Sequence, residues 1–539
     1  MLLHFILTII VCTVFGTFSH PEVNTPLGKI VGKWVSFNDI PEKTFQGIPY
    51  AKPPRGELRF RKPQPIEPWR EPLMAHSLPA GCVQYSSNPF PWLDTLPGKK
   101  RDCLYLNIWA PGTAGLREKK AVMFFIHGGG FRISSSRVDF YNGIALAALG
   151  DVVVVTINYR LTTEGFLYSG TDGAPGNMGL LDILEALRWV KSNIKYFGGD
   201  EDNITLFGQS SGAITIGMFM TSPLARGLFA RAIFQSGSPA NLDAEDNCRD
   251  FELSRNVSEA VGCTCDESSL TDNPEEVVEC LRDVDALELA KTVGKVSDNP
   301  QRGLYPRYGD NILPLNACES LIKGNFENID ILIGNTHDEG STMITKAMKD
   351  TFGFFGEKHP KINRTFGEQI IRKNFESFPD TDAVVKHYLG GLNEDDYDKI
   401  LYQVHTASGD YARVCPSVYM AESIAKKGNK VLYYYFVHRS SSAPWAPWMG
   451  TAHFEETPFV FGYPLRYPSN FTESERVLSR QMIEVWTTFA KSGPKQLLKF
   501  WPLYTSEHHR YFVFGNSAEN KGRGPHLKNC EFFRPYFGF

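Results

Sequence analysis

The stretch Asn203–Ala213, NITLFGQSSGA, decides the fold of this 539-residue chain. A short apolar and β-branched run, Ile204-Thr205-Leu206-Phe207, stops at Gly208-Gln209-Ser210-Ser211-Gly212, and AITIGMFM follows with helical promise. That order is strand, sharp turn, helix. Small residues must flank a serine in so tight a turn, and its hydroxyl is then held out above the sheet. Ser210 is therefore a candidate nucleophile. A serine hydroxyl reacts poorly near neutral pH, so the reading calls for a base downstream and a third group to orient it.

Upstream, Ala121–Ile126 (AVMFFI) is a continuous apolar run, the signature of a strand buried on both faces, and it ends at His127-Gly128-Gly129-Gly130. Three glycines let the backbone come close to a ligand and turn its N–H groups toward one point, as oxyanion stabilisation requires. DVVVVTINY (Asp151–Tyr159) is the next buried strand. GLLDILEALRWVKSNI carries apolar residues at helical spacing and packs on the sheet. Beyond the serine, RAIFQSGSP, IDILIGNTHDEG, KVLYYYFVHR and RYFVFG read as strands, and Glu475–Ser492 as a long amphipathic helix. Residues 241–299 and 351–399 are polar helical excursions. Alternating strands and helices give an α/β class with a large, mainly parallel sheet: an α/β-hydrolase fold with helical insertions.

In that fold the acid precedes the histidine, and both follow the serine. Asp338 and Glu339 end a core strand. The histidines after them are His359, His387, His405, His438, His453, His508, His509 and His526, and only His453 sits in a Gly- and Pro-rich loop bounded by aromatics. The residues alone leave both choices open.

The ends and the cysteines describe the setting. MLLHFILTIIVCTVFGTFSH opens with an apolar run that closes on small residues, so residues 1–19 read as a signal peptide and residues 20–539 as one secreted domain. No later run is long and apolar enough to span a membrane, and no membrane anchor is expected. The sequons at Asn203, Asn256, Asn363 and Asn470 fit export, and Asn203 adjoins a core strand. With Cys12 in the leader, Cys82, Cys103, Cys248, Cys263, Cys265, Cys280, Cys318, Cys415 and Cys530 remain, an odd set. A net charge of −4 leaves no footprint for nucleic acid. There is no H-E-x-x-H and no paired C-x-x-C, so a metal hydrolase is not expected.

FQGIPYAKPP, DCLYLNIW, HGGGF, FGQSSGA, AIFQSGSP, DEG and GTAHFEETPFVFG occur in this order. On these motifs the chain, from about Val23 to its C-terminus, resembles the type-B carboxylesterase and cholinesterase family. The resemblance implies a serine carboxylesterase acting on a small-molecule ester, with no metal or organic cofactor required. It implies Ser210 as nucleophile, His453 as base and Glu339 as orienting acid. The N–H groups of Gly129, Gly130 and Ser211 would form the oxyanion hole. It also implies disulfides Cys82 with Cys103, Cys263 with Cys280 and Cys415 with Cys530. A Cys248 to Cys265 bridge is a further expectation and leaves Cys318 free.

Three departures from the family matter. The glutamate before DCLYLN, which pairs with the arginine matching Arg59, is replaced by Arg101, which sets like charges against each other. The glutamate that true cholinesterases carry in the elbow is replaced by neutral Gln209. Aromatics after the DEG acid give way to Thr342 and Met343, leaving Trp92 in the Cys82 to Cys103 loop as a candidate ring. A quaternary ammonium needs aromatic faces and a negative field, so general or apolar esters are expected in preference to choline esters. The competing class is a catalytically inactive adhesion protein on the same fold, against which the intact serine, acid, histidine and glycines weigh.

Overall fold

The computed structural model describes residues 20–539 apart from 87–89, 91–92, 94–99, 242–246, 265–268, 298–302 and 516–519. The leader, Trp92 and the Cys248 to Cys265 pairing fall outside the described residues.

Fourteen strands build two sheets among the described residues: β1 Glu22–Thr25, β2 Gly28–Val31, β3 Lys33–Phe37, β4 Ile40–Pro49, β5 Leu73–Met74, β6 Tyr105–Pro111 and β7 Lys120–Ile126, then β8 Val153–Ile157, β9 Gly199–Gln209, β10 Arg231–Gln235, β11 Ile331–Thr336, β12 Val431–Phe436, β13 Arg510–Phe514 and β14 Lys521–Arg523. β1, β2 and β5 form a small sheet. The other eleven lie in the order β14-β13-β12-β11-β10-β9-β7-β8-β6-β4-β3. From β8 across to β13 all neighbours run parallel. The flanking pairs β6 with β8, β4 with β6, β3 with β4 and β13 with β14 are antiparallel.

The continuous apolar strands serve two cores. Val122, Phe124 and Ile126 of β7 join one apolar cluster, shared with the helices Met178–Asn193 and Ser211–Thr221. Ala121, Met123 and Phe125 join a second, shared with Ile144–Gly150 and Glu473–Ser492. Successive strand side chains point to opposite faces, so every position of a central strand must be apolar. Each such side chain contributes roughly 1.5–3 kcal/mol when fully buried. Glu473–Ser492 begins at a capping box in which Thr472 and Glu475 satisfy each other's backbone N–H groups.

The long strand β4 was not legible as a strand, because FQGIPYAKPP reads as the start of a Pro-rich loop. Gly47 bulges out of its pairing with β6, and the Asn107 side chain accepts the Gly47 N–H at 3.0 Å. Both excursions are helical. The first holds Asn247–Ala260, Pro274–Asp283 and Ala286–Val296; the second holds Arg364–Asn374, Thr381–Leu389 and the start of Tyr397–Gly409.

The expected charge conflict at Arg59 does not arise. Arg59 is buried and gives Nε and Nη2 to Glu164, with Nη1 donating to the carbonyls of Leu281, Arg282 and Val284. A different acid supplies the partner, and Arg101 is not needed. The three disulfides are formed as the resemblance implied, and Cys318 is free.

Candidate active site

β9 delivers Ser210 at φ 56° and ψ −123°, and the helix Ser211–Thr221 starts at the next residue. The turn closes because Gly212 lies against β7. A Cβ on Gly212 would stand 2.0 Å from the Ile126 carbonyl oxygen. Ser210 N–H is fixed on the Gln235 carbonyl of β10 at 2.8 Å, while its hydroxyl makes no hydrogen bond to any described residue.

β7 ends in the glycine loop. Gly129 takes φ +112°, with the space a Cβ would fill occupied by the Ile133 carbonyl oxygen at 2.1 Å. Tyr159 stacks on the His127 ring with centroids 4.4 Å apart, and its hydroxyl donates to the His127 carbonyl at 3.0 Å. The Gly130 N–H donates to Ser211 Oγ at 3.0 Å. Here the structure adds to the sequence reading. One of the three expected oxyanion donors is already paired, and the hydroxyl of Ser211 is what pairs it.

β11 ends at Thr336, and the turn after it brings Glu339 to His453. Its Oε1 accepts from Thr336 N–H at 2.9 Å and from Asn335 Nδ2 at 3.2 Å; its Oε2 lies 2.6 Å from His453 Nδ1. Burial pushes the Glu339 carboxyl pKa up, but the charge and hydrogen bond of His453 and the Thr336 N–H outweigh it, leaving the pKa below its ordinary value. Glu339 is ionised. Asp338 points elsewhere, accepting from Thr451 N–H at 2.8 Å and pairing with His337 at 3.0 Å. It anchors the histidine loop and leaves the histidine ring to its neighbour.

Geometry also separates the histidines. His438 pairs with Glu475, His509 with Glu422, His526 with Asp410 and His387 with Asn529, while His359 stacks on Trp448. Burial pushes buried His405 down to about 4. His453 alone reaches Glu339. Burial lowers its pKa, helped by the charges of Arg413 and Lys346, against the raising effect of Glu339. The resting imidazole is therefore neutral, with the Nδ1 proton on the carboxylate side and a lone pair on Nε2. That lone pair is met by Gln209, whose amide nitrogen lies 3.0 Å away. The sequence reading weighed Gln209 only as a lost negative charge. The contact with His453 was missed, and nothing in a pentapeptide could reveal it.

The four sequons differ in setting. Asn470 is exposed in the turn Pro468–Asn470, and Asn256 is half-buried on its helix. Asn363 caps a helix by accepting Phe366 N–H, and Asn203 accepts from Arg231.

Residues 19–533 match the carboxylesterase family. Acetylcholinesterase-1 of Trittame loki is 38% identical over 531 residues, covering 96% of this chain and 94% of that protein. An acetylcholinesterase of Leptinotarsa decemlineata is 36% identical, with 91% of this chain and 82% of that one covered. An acetylcholinesterase of Bungarus fasciatus is 35% identical, with 92% and 83% covered. The fold and these matches define a carboxylic ester hydrolase of the α/β-hydrolase class. The chain belongs to the carboxylesterase family.

Proposed function

We propose that the chain is a serine carboxylesterase working through Ser210, His453 and Glu339. The observation that carries this is the Glu339–His453 contact at 2.6 Å, with the other imidazole nitrogen turned toward the elbow that bears Ser210. Ser210 Oγ attacks the ester carbonyl carbon while its proton passes to His453 Nε2. Glu339 holds the Nδ1–H and stabilises the imidazolium. Charge on the carbonyl oxygen is met by the N–H groups of Gly129, Gly130 and Ser211, Gly130 exchanging its bond to Ser211 Oγ for one to the oxyanion. The tetrahedral centre collapses as His453 returns the proton to the alcohol. Water then attacks the acyl-enzyme by the same route and frees the acid. For Nε2 to accept from Ser210, the Gln209 amide must yield its place.

The substrates are carboxylic esters lacking a quaternary ammonium group, because the elbow offers neutral Gln209 in place of an anion. The names of the relatives favour choline esters as the second reading. Rates on acetylthiocholine against 4-nitrophenyl hexanoate, each with a Ser210→Ala control, separate the two. Equal rates for wild type and control on both would leave an inactive binding protein.

The disulfides and the leader support export of a single catalytic domain spanning residues 20–539, with Asn470 as the sequon best placed to carry a glycan. N-terminal sequencing and glycosidase treatment of the secreted protein test this.

A further inference from the structure

The elbow carries a second serine whose hydroxyl the backbone chemistry does not need, because an oxyanion hole uses only the N–H of Ser211. That side chain is nonetheless buried and fixed in place. The helix Ser211–Thr221 starts at this residue, its carbonyl accepts the Thr215 hydroxyl at 2.9 Å, and Gly212 beside it lies against β7. From there Ser211 Oγ accepts the Gly130 N–H at 3.0 Å. The three expected oxyanion donors are therefore not alike. The N–H groups of Gly129 and Ser211 have no partner among the described residues, and the Gly130 N–H has one.

That bond is not what holds the glycine loop. Other bonds bracket Gly130: the Gly129 carbonyl accepts the Arg132 and Ile133 N–H groups at 3.1 and 3.2 Å, and the Phe131 carbonyl accepts the Thr162 N–H at 2.9 Å. Upstream, the Tyr159 hydroxyl pins the His127 carbonyl at 3.0 Å. A Cβ on Gly130 would meet nothing within 4 Å, so the loop is not walled in at this residue as it is at Gly129.

We infer that the Ser211 hydroxyl is a positioning group that withholds the Gly130 N–H from the carbonyl of the bound ester and yields it to the oxyanion. An ester carbonyl and a serine hydroxyl are both neutral acceptors, so exchanging one for the other gains little. A charged oxygen accepts about twice as strongly as a neutral one, and it displaces the hydroxyl. The third donor then acts in the transition state and not in the bound ester, which is the difference on which rate depends. The hydroxyl weakens ester binding in return, because an open N–H would hold the resting carbonyl as well. The inference rests on the esterase reading and deepens it by assigning a role to a side chain of the same site.

The test is Ser211→Ala, read by stopped flow as the burst of 4-nitrophenolate from 4-nitrophenyl hexanoate, which separates the dissociation constant of the ester from the acylation rate constant. One neutral hydrogen bond corresponds to about 2–10-fold in an equilibrium constant. The dissociation constant should fall by that factor, while the acylation rate constant moves less. Ser211→Cys, whose sulfur accepts weakly, should lie between wild type and Ser211→Ala, and it carries the comparison if melting temperatures show that Ser211→Ala does not fold. Calorimetry of the same ester on Ser210→Ala and on Ser210→Ala/Ser211→Ala should show the same tightening without turnover. A dissociation constant that stays at the wild-type value overturns the inference and leaves the esterase standing. So does an acylation rate constant that drops by more than the dissociation constant falls, because the bond would then be holding the loop. Wild-type turnover no faster than that of Ser210→Ala removes the esterase reading and the inference with it.

Discussion

Gln209→Glu tests the link between the elbow and the base. It places a carboxylate where an amide nitrogen lies 3.0 Å from His453 Nε2. At that distance and an effective dielectric of about 20, a carboxylate and an imidazolium attract by about 5.5 kcal/mol. At about 1.36 kcal/mol per pKa unit this sets a ceiling near 4 units. Water entering the site and the cost of desolvating the new carboxylate reduce it to about 1–3 units. The sign is upward, because an anion favours the protonated ring. In the native protein burial holds His453 below its ordinary value, so the acid limb of kcat/KM on 4-nitrophenyl hexanoate should lie below about pH 6.5. In Gln209→Glu that limb should move up by about 1–3 units, with loss of activity at mildly acid pH and recovery in alkali. A limb that stays in place would mean that residue 209 does not face Nε2 in solution.

Ser210→Ala should lower kcat by about 10⁴–10⁶-fold while leaving ester binding measurable by calorimetry. Gly212→Ala should cost comparable activity even with Ser210 present, because a Cβ 2.0 Å from the Ile126 carbonyl must displace the elbow; near-native turnover would show that the turn can open. Glu475 accepts from the Ser441 and Thr472 backbone N–H groups at 2.6 and 2.8 Å. Burial raises its pKa, but these bonds outweigh burial and hold it at about 2. Its stabilisation is full above the ordinary carboxylate range and is lost as pH falls toward 2, and Glu475→Gln should lower stability by about 1–3 kcal/mol near neutrality, read as a shifted denaturant midpoint. Replacing Cys415 and Cys530 by serine opens a closure spanning 115 residues. It should cost about 2–5 kcal/mol, seen as a fall in melting temperature.

What could be read in the sequence follows from what each feature needs. β7 and β8 are buried on both faces, so each must be an unbroken apolar run, and such a run is visible without any partner. β4 could not be recognised in the same way. Its pairing with β6 carries a bulge at Gly47, and Pro49 closes it where no N–H is required, so its residues look like a loop. The charge conflict at Arg59 failed as an expectation for a related reason. Arg59 and Glu164 are 105 residues apart, and only the folded chain shows that Glu164 replaces the missing glutamate.

The site divides along the same line. The elbow and the glycine loop were legible because backbone sterics demand glycine at fixed places, with the Ile126 and Ile133 carbonyls filling the space. The acid was not: Asp338 and Glu339 are adjacent, and both follow a strand that ends at Thr336. The turn after the strand decides between them: Asp338 takes the Thr451 N–H and His337, while Glu339 reaches His453. Side-chain partnerships across long separations lay beyond any motif. Gln209 on His453 and Ser211 on the Gly130 N–H both belong to this group. The shared machinery is therefore written in backbone constraints, and the features that tune this chain's chemistry are written in side chains that only folding brings together. Substrate preference belongs to the second set, which is why seven matching motifs fix the family and not the ester.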